Sequence, residues 1–320
     1  MITLPELESA AQLVYQVMPP TPQYSWPLLN QRYGREIWVK HENHTPAGAF
    51  KVRGGIVLMH HLKRDQPQLK GIISATRGNH GQSLALSAKR HGFACVIVVP
   101  HGNSAEKNAA MRAQGAELVE HGQDFDEARA HAATLAQERG LEFINSFRRE
   151  LVMGVGTYAL EFLRNAPPLD AVYVPIGMGS GICGLISARN ALNLKTKIIG
   201  VVSEHFPSWQ RAFASGQPGT SGPAHTIADG VATRTVYAES FAVVQKGAED
   251  VITVSEDQIK AAMRTYYTDT HNLAEGAGAV PLAGAAKDLA RTTGRIGVIL
   301  CGGNVDAEVF AKVIAGVDVV

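Results

Sequence analysis

Apolar runs rich in Val and Ile alternate along most of the chain with segments whose apolar residues recur every three or four positions. The first kind of segment predicts buried strands, and the second predicts amphipathic helices. The predicted strands span residues 71–75, 94–99, 116–119, 171–176, 197–203, 251–254 and 297–301. The predicted helices span residues 82–91, 105–114, 126–139 and 256–268, and Ser255 with Gln258 forms a capping box before the last of them. This alternation predicts an α/β protein with helices on both faces of parallel sheets.

Lys51 lies between a turn rich in Pro and Gly and an apolar helical segment. A half-sheltered lysine loses its proton near neutral pH, and a neutral amine can form a Schiff base with an aldehyde cofactor. The alternative is a solvated surface lysine, which is the commoner situation before a helix. Lys51 alone leaves both interpretations open.

A glycine turn follows the predicted strand 171–176, with Gly177, Gly179 and Gly181 at alternate positions before a helix. Glycines let the backbone approach a ligand closely, and the free N–H groups of a helix start face an anion, so the segment is typical of a phosphate site. An ordinary tight turn is the alternative. The Gly-Lys-Ser/Thr of a Walker loop does not follow.

The predicted strand 297–301 ends in Cys301-Gly302-Gly303-Asn304. Ligands of open parallel sheets bind at the carboxyl ends of strands, so we expect Cys301 to face the same crevice as the glycine turn. The alternative is a small buried apolar residue, which is the usual role of a free thiol.

Composition excludes several classes of partner. The 320 residues are 45% hydrophobic and 18% charged with a net charge of +1, so neither nucleic acid nor a membrane is expected as a partner. The three cysteines are odd in number and widely spaced, which favours a reducing, cytoplasmic location over a disulfide framework.

The motifs together resemble one family. A lysine after Pro-x-Gly-x-Phe, the segment Thr-Arg-Gly-Asn-His-Gly-Gln at 76–82, the glycine turn and the late Cys-Gly-Gly-Asn occur in this order from about Trp38 to Asn304. The chain resembles fold-type II pyridoxal-phosphate enzymes of the threonine/serine dehydratase family, in the serine racemase-like branch. The resemblance implies two parallel-sheet domains, each a three-layer αβα arrangement like the tryptophan synthase β subunit, with the active site in the interdomain cleft. The implied large domain is residues 1–63 and 147–320, and the small domain is residues 71–143.

The resemblance also implies roles for individual residues. Lys51 would hold pyridoxal phosphate and, once freed by the substrate, would remove the Cα proton. Phe50 lies against the cofactor ring in this interpretation, with a core aromatic as its alternative. The implied cofactor-binding residues are Lys51, Phe50, Asn79, Gly177, Met178, Gly179, Ser180, Gly181 and Cys301. The loop implied to bind the substrate carboxylate consists of Thr76, Arg77, Gly78, Asn79 and His80.

The expected reaction is α,β-elimination by an ammonia-lyase that turns a 3-hydroxy amino acid of the L-threonine or L-serine type into a 2-oxo acid and ammonia. A neutral Cys301 thiol beside the pyridine nitrogen is a weak donor, which favours β-elimination or β-replacement. The lysine segment fits β-replacement synthases poorly. Arg77 stands where racemase-like members carry an acid/base serine, and a guanidinium is a poor proton shuttle, so racemisation is disfavoured.

Three features leave alternatives open. Arg77 either pairs with the side-chain carboxylate of a substrate such as 3-hydroxyaspartate or points outward to an acid on the domain surface. 3-Hydroxyaspartate and 3-phenylserine compete as substrates. Ala47 and Ala49 are small, which either leaves room for a larger substrate side chain or serves packing alone. His80 is interpreted as a structural histidine of the loop rather than an acid/base group.

The remaining expectations concern a metal ion, assembly and pathway. Glu204, Ser208 and Gln210 repeat a spacing that binds Mg²⁺ or Ca²⁺ in some family members, but an amide replaces the last carboxylate, which weakens such a site. Family habit implies a homodimer acting on a small-molecule amino acid. The chain ends soon after the predicted strand 297–301, without room for the regulatory domain of biosynthetic threonine dehydratases, so feedback control by isoleucine is not expected. The resemblance implies a role in amino-acid degradation.

Overall fold

The computed structural model describes residues 2–222 and 224–319 of the chain. Met1, Pro223 and Val320, which fall in the spans predicted for the large domain, lie outside the described residues. The strands of the described part are β1 (Gln23–Ser25), β2 (Ile37–His41), β3 (Gly71–Ala75), β4 (Ala94–Val99), β5 (Glu117–Glu120), β6 (Glu142–Phe143), β7 (Ala171–Pro175), β8 (Lys197–Ser203), β9 (Asp250–Val254) and β10 (Ile296–Leu300). Its α-helices are α1 (Leu4–Tyr15), α2 (Pro27–Tyr33), α3 (Lys51–Asp65), α4 (Asn79–His91), α5 (Ala105–Ala113), α6 (Phe125–Arg139), α7 (Arg149–Asn165), α8 (Ser180–Ala191), α9 (Ser208–Ser215), α10 (Ala238–Gly247), α11 (Glu256–Thr270), α12 (Gly276–Lys287) and α13 (Ala307–Ala315).

Two sheets organise the chain, which confirms the predicted α/β class. The larger sheet has the strand order β1-β2-β10-β7-β8-β9, and only the β1–β2 pair in it is antiparallel. The smaller sheet has the order β5-β4-β3-β6 and is parallel throughout. All strands of the smaller sheet fall between residues 71 and 143. The domain bounds themselves stay a prediction.

The predicted strands agree closely with the observed ones because their residues are buried on both faces. Side chains of the central strands such as Val172, Ile198 and Val298 are fully buried. Strands β3, β4 and β8 have the predicted bounds, and the other four predicted strands are displaced by no more than one residue at either end. The capping box is present, since Ser255 N–H donates to Gln258 Oε1 at 2.9 Å and Ser255 Oγ accepts from Gln258 N–H at 3.2 Å. No helix in residues 2–222 and 224–319 is both long and apolar enough to cross a membrane.

Helix α3, which begins at Lys51, lies between the two sheets and packs against both α4 and α7. Ser83 Oγ on α4 donates to the carbonyl oxygen of Lys51 at 2.6 Å. On the other side, Arg53 Nη1 donates to Glu161 Oε1 on α7 at 2.6 Å. The first turn of α3 is therefore held from both sides, and so is the lysine that it carries.

Candidate active site

Three loops of the larger sheet meet at the carboxyl ends of β2, β7 and β10, because parallel neighbours end at the same edge. The loop before Lys51 is fixed to the end of β10 by backbone hydrogen bonds. Phe50 N–H donates to the Cys301 carbonyl oxygen, and Gly303 N–H donates to the Gly48 carbonyl oxygen, both at 2.9 Å. The structure thereby brings the predicted lysine and the predicted cysteine to one place.

The amine of Lys51 lies beside the glycine turn. Its Nζ donates to Ser180 Oγ at 3.0 Å and lies 4.9 Å from the centre of the Phe50 ring. Within the described ranges no carboxylate forms an ion pair with it. Burial lowers the pKa of Lys51 to about 8, and the nearby Cys301 opposes this shift. A minority of the amine, roughly one fifth, is therefore neutral near physiological pH, far more than for an ordinary lysine.

The glycine turn forms a row of backbone donors. At the start of α8, Cys183 N–H is the first backbone donor with a partner, and it donates to the Gly179 carbonyl oxygen. In the described part of the chain the N–H groups of residues 177–182 have no protein acceptor. Gly179 has φ +99°, which favours glycine, and Trp209 Nε1–H fixes the turn by donating to the Gly177 carbonyl at 2.8 Å. Such a row at a helix start is suited to an anion such as phosphate.

The loop 76–80 of the smaller sheet supplies further donors. Gly78 N–H donates to Thr76 Oγ1 at 3.2 Å, whereas no protein acceptor is present among the described residues for the N–H groups of Arg77, Asn79 and His80. Helix α4 begins at Asn79, so these groups form a second anion-binding row. The sequence placed the start of this helix at residue 82, three residues too late.

Arg77 has an exposed side chain. Its carbonyl oxygen accepts from Asn103 Nδ2–H at 3.2 Å. The pKa of the exposed Asp124 is lowered, first by the backbone N–H of Glu127 and to a smaller degree by the charges of Arg234 and Arg77. Arg77 is therefore exposed with an acidic residue nearby, as expected if its side chain points outward to an acid on the domain surface.

The side chain of Asn79 is held by two residues that were not assigned a role from the sequence. Its Nδ2–H donates to Glu275 Oε1 at 2.8 Å, and its Oδ1 accepts from Asn304 Nδ2–H at 2.8 Å. Burial raises the pKa of Glu275 to about 7, although the charge of Lys107 and the hydrogen bond from Asn79 oppose it. Lys107 itself forms an ion pair with Asp229 at 3.0 Å.

His80 and Cys301 are buried and uncharged near neutral pH. Burial, assisted by the charge of Lys51, lowers the pKa of His80 to about 3, and its Nε2 has no hydrogen-bond partner among the described residues. Burial and the nearby Glu275 hold the pKa of the Cys301 thiol well above its usual value. A bound group or an ordered water would supply the hydrogen bond that this buried imidazole nitrogen lacks.

The ring of Phe50 meets Tyr158 edge to face, with ring centres 6.1 Å apart. Tyr158 donates its hydroxyl hydrogen to the Gly181 carbonyl at 3.0 Å. Phe50, Lys51 and the glycine turn therefore share one packing unit, which is the arrangement expected if Phe50 borders a cofactor.

The residues predicted for a metal do not form a cluster of acidic ligands. Glu204 is exposed, and Ser208 at the start of α9 donates its hydroxyl hydrogen to the Thr233 carbonyl at 2.7 Å. Across residues 2–222 and 224–319 no group of three or more His, Cys, Asp or Glu side chains could hold a metal ion. The Mg²⁺ or Ca²⁺ site of Glu204, Ser208 and Gln210 stays a prediction.

Known proteins are similar to this chain in both sequence and fold. Residues 14–302 match the family model for pyridoxal-phosphate dependent enzymes. The chain is 35% identical to the biosynthetic L-threonine dehydratase of Pasteurella multocida over 86% of its own residues and 53% of that relative. It is 32% identical to the L-threo-3-hydroxyaspartate ammonia-lyase of Saccharomyces cerevisiae over 98% of this chain and 97% of the relative. Maize serine racemase has the same fold, with a TM-score of 0.91 and 27% identity over 98% of this chain and 97% of that one.

The chain spans about half the length of the biosynthetic threonine dehydratases that it matches, with 53% of the Pasteurella multocida protein covered. The 3-hydroxyaspartate ammonia-lyase, in contrast, is matched over nearly its whole length.

Proposed function

Because the chain belongs to the family of pyridoxal-phosphate dependent enzymes, we propose that it is an ammonia-lyase for a 3-hydroxy amino acid. It releases a 2-oxo acid and ammonia by α,β-elimination. The observation that carries the proposal is the partly buried amine of Lys51, which has no carboxylate partner in the described ranges. Its Nζ lies 3.0 Å from the Oγ of Ser180, a residue of the glycine turn whose backbone N–H groups lack protein acceptors.

The residues present fit pyridoxal phosphate. The N–H groups of residues 177–182 lack protein acceptors in the described part, as a phosphate site requires. Lys51 has a pKa near 8, which suits an amine that attacks an aldehyde. His80, whose Nε2 has no hydrogen-bond partner in the described part, is near enough to Lys51 for the charge of that lysine to lower its pKa. We therefore assign Lys51, Phe50, Asn79, Cys301 and the glycine turn, with Met178 and Ser180, to the cofactor.

When bound, pyridoxal phosphate supplies the electron sink that acidifies the Cα–H bond of an amino acid. Lys51 Nζ would take the Cα proton of the substrate, and Ser180 Oγ, which accepts a hydrogen bond from this amine, would hold it beside the glycine turn. The N–H groups of the loop 76–80 bind the substrate carboxylate. Cys301 stays a neutral thiol, so it offers the ring nitrogen only a weak hydrogen bond and no countercharge.

L-Threonine and L-serine are the first substrates to test. 3-Hydroxyaspartate is the second candidate, because the relative matched over nearly its whole length is named for it. Racemisation is disfavoured because Arg77, in the position of the expected second acid/base, is exposed and permanently charged. The proposal includes the domain bounds given above, a homodimer, a cytoplasmic location and a role in amino-acid degradation.

Reduction with borohydride and peptide mass spectrometry test the cofactor assignment, and release of 2-oxo acid from a panel of hydroxy amino acids tests the activity. We expect pyridoxyl mass on Lys51 and turnover with at least one 3-hydroxy amino acid. Lys51→Ala should abolish both, whereas Lys63→Ala, an exposed lysine on the same helix, should change neither. Label on another lysine, or D-amino acid as the main product from L-serine, would refute the proposal.

A further inference from the structure

A continuous chain of hydrogen bonds links the loop before Lys51 to Glu275 through two amides. Asn304 Nδ2 donates to the Ala47 carbonyl oxygen at 2.8 Å and to Asn79 Oδ1 at 2.8 Å. Asn79 Nδ2 then donates to Glu275 Oε1 at 2.8 Å. Asn304 ends the Cys-Gly-Gly-Asn segment after β10, and Asn79 begins α4.

The direction of this chain is dictated from the Ala47 end. A backbone carbonyl oxygen can only accept a hydrogen bond, so the Asn304 atom beside it must be the amide nitrogen. That nitrogen has two hydrogens, and both are used. The Asn79 atom beside it must then be an acceptor, which is Oδ1. The amide nitrogen of Asn79 is therefore turned away from Asn304, and one of its two hydrogens remains after the bond to Glu275.

The Glu275 side chain, at the other end of this series of hydrogen bonds, cannot set the direction by itself. Burial raises the pKa of Glu275 to about 7, so both its ionised and its protonated forms occur near neutral pH. A protonated carboxyl can donate as well as accept, and it would tolerate either orientation of the Asn79 amide. Only the Ala47–Asn304 end excludes the flipped orientation in both charge states.

We propose that Asn304 is a positioning residue that makes Asn79 present an N–H donor, and never a carbonyl acceptor, to the bound cofactor. The inference rests on the proposed function, because it assumes that pyridoxal phosphate fills the cleft. The group recognised is an anionic or electron-rich oxygen of the cofactor, since a donor in this place stabilises such an oxygen and an acceptor repels it.

The hydrogen bond between Asn304 and Asn79 joins loops that follow strands of different sheets. Asn79 follows β3 of the smaller sheet, whereas Asn304 follows β10 of the larger sheet. Ala47 lies in the loop that backbone hydrogen bonds join to the end of β10, and Glu275 precedes α12, which packs on the larger sheet. The orientation of the Asn79 amide is thus set across the cleft, by groups that do not belong to its own sheet.

Asn304→Asp tests the inference, because it keeps the size of the side chain and replaces both donor hydrogens by acceptors. Asn43→Asp is the matched control. Asn43 Nδ2 also donates to a backbone carbonyl, that of Leu273 at 3.3 Å, and to another amide oxygen, that of Asn272 at 3.4 Å, but within the described residues it forms no hydrogen bond with Asn79. Asn304→Ala removes the donors without placing a charge against the Ala47 carbonyl, and it serves if Asn304→Asp fails to fold.

Apoenzyme prepared from each variant is titrated with pyridoxal phosphate, and the pH midpoint of the absorbance of the bound cofactor is then recorded. We expect the affinity of Asn304→Asp and of Asn304→Ala to fall about tenfold and that of Asn43→Asp by less than about threefold. We also expect the absorbance midpoint to rise in the Asn304 variants alone, because the anionic form of the cofactor oxygen loses its donor.

A structural role alone would lower the melting temperature of the Asn304 variants without moving the absorbance midpoint, and that result would overturn the inference. Equal affinities and midpoints for Asn304→Asp and Asn43→Asp would also overturn it. If the wild-type protein bound no pyridoxal phosphate, the proposed function itself would fail, which distinguishes the two outcomes.

Discussion

Replacing Arg53 by Met should destabilise the protein strongly, although Arg53 lies two positions after Lys51 and touches no ligand-binding group. Its guanidinium is fully buried and binds two carboxylates at once. It donates to both oxygens of Glu42 at 2.7 and 2.9 Å and to both oxygens of Glu161 at 2.6 and 2.9 Å. Lys40 adds a second cation, 2.6 Å from Glu161. Two positive and two negative side chains therefore neutralise one another under the first turn of α3.

The magnitude follows from the charge left behind. Without Arg53 the group carries a net charge of −1 in the interior, and removal of one partner from a buried ion pair typically costs about 3–5 kcal/mol. Met fills a similar volume, so the cost is mainly electrostatic. The pKa of Glu161 is now below its usual value because the charges of Arg53 and Lys40 outweigh the opposing effect of burial. This pair therefore contributes stability above the unfolded pKa, and the contribution is lost as pH falls.

Urea unfolding of the apoprotein at pH 8 and pH 5.5 measures this cost. We expect Arg53→Met to lose about 4 kcal/mol at pH 8 and less at pH 5.5, where a carboxyl of the variant can take up a proton. The control is Arg164→Met, which removes the exposed pair of Arg164 with Glu8 and should cost less than about 1 kcal/mol at both pH values. A loss below about 1 kcal/mol for Arg53→Met, or the same loss at both pH values, would refute the reasoning.

Three further outcomes follow from the site. The rate at which apoenzyme takes up pyridoxal phosphate should rise with pH around a midpoint near 8, the pKa of Lys51, and a flat profile between about pH 7 and 9.5 would contradict this. Glu275 has a pKa raised to about 7, so part of the stability of the wild-type protein is lost as pH rises through 7. The melting temperature of Glu275→Gln relative to that of the wild type should therefore increase from pH 5.5 to 8.5, and a constant difference would contradict this. Gly177→Ala would place a Cβ 2.2 Å from the Gly230 carbonyl oxygen, so cofactor affinity should fall at least about tenfold, whereas Gly219→Ala, with open space around the new atom, should bind normally in the same titration.

The sheets could be predicted from the sequence because their signal is local. A run of Val and Ile covered on both faces is continuous along the chain, and strands such as β4 and β8 have the predicted bounds for that reason. The capping box at Ser255 is local as well. The start of α4 was misplaced because Asn79 follows Gly78, whose φ of 174° is extended backbone, and no side chain caps this helix end. Because no side chain caps this helix, its first N–H groups stay free, and the proposed function uses these groups to bind the substrate carboxylate.

The contacts around Asn79 could not be predicted, because they join residues from distant segments. Lys107, Asp229, Glu275 and Asn304 come from four loops or helix ends, and none has a spacing that indicates the others. Asn304 stands in the sequence only as the end of a motif, and no pattern there assigns a role to Glu275. Their roles depend on which atom of each amide faces which partner, and a sequence of residue types does not contain that information.

Arg53 shows a second limit of sequence patterns. A charged residue in an amphipathic helix is usually placed on the solvent face, yet the Arg53 side chain is fully buried. Its burial is tolerated only because two carboxylates neutralise it. Glu42 directly follows β2 and is 11 residues away in sequence, and Glu161 lies on α7 and is 108 residues away. The pairing that reverses the usual placement is long-range, so a local pattern assigns such a residue to the wrong face.

The low pKa of Lys51 requires surroundings without net charge. Two sets of buried charged residues meet this requirement because each set balances its own charges. A carboxylate within a few ångströms would hold the amine protonated and would cancel the effect of burial. The four charges under α3 balance one another, so they impose little net field on Lys51, and Glu275 is occupied by Asn79 and by the charge of Lys107. The groups nearest the amine, Ser180 and Cys301, are uncharged near neutral pH. Burial therefore dominates, and the lysine is neutral often enough to react.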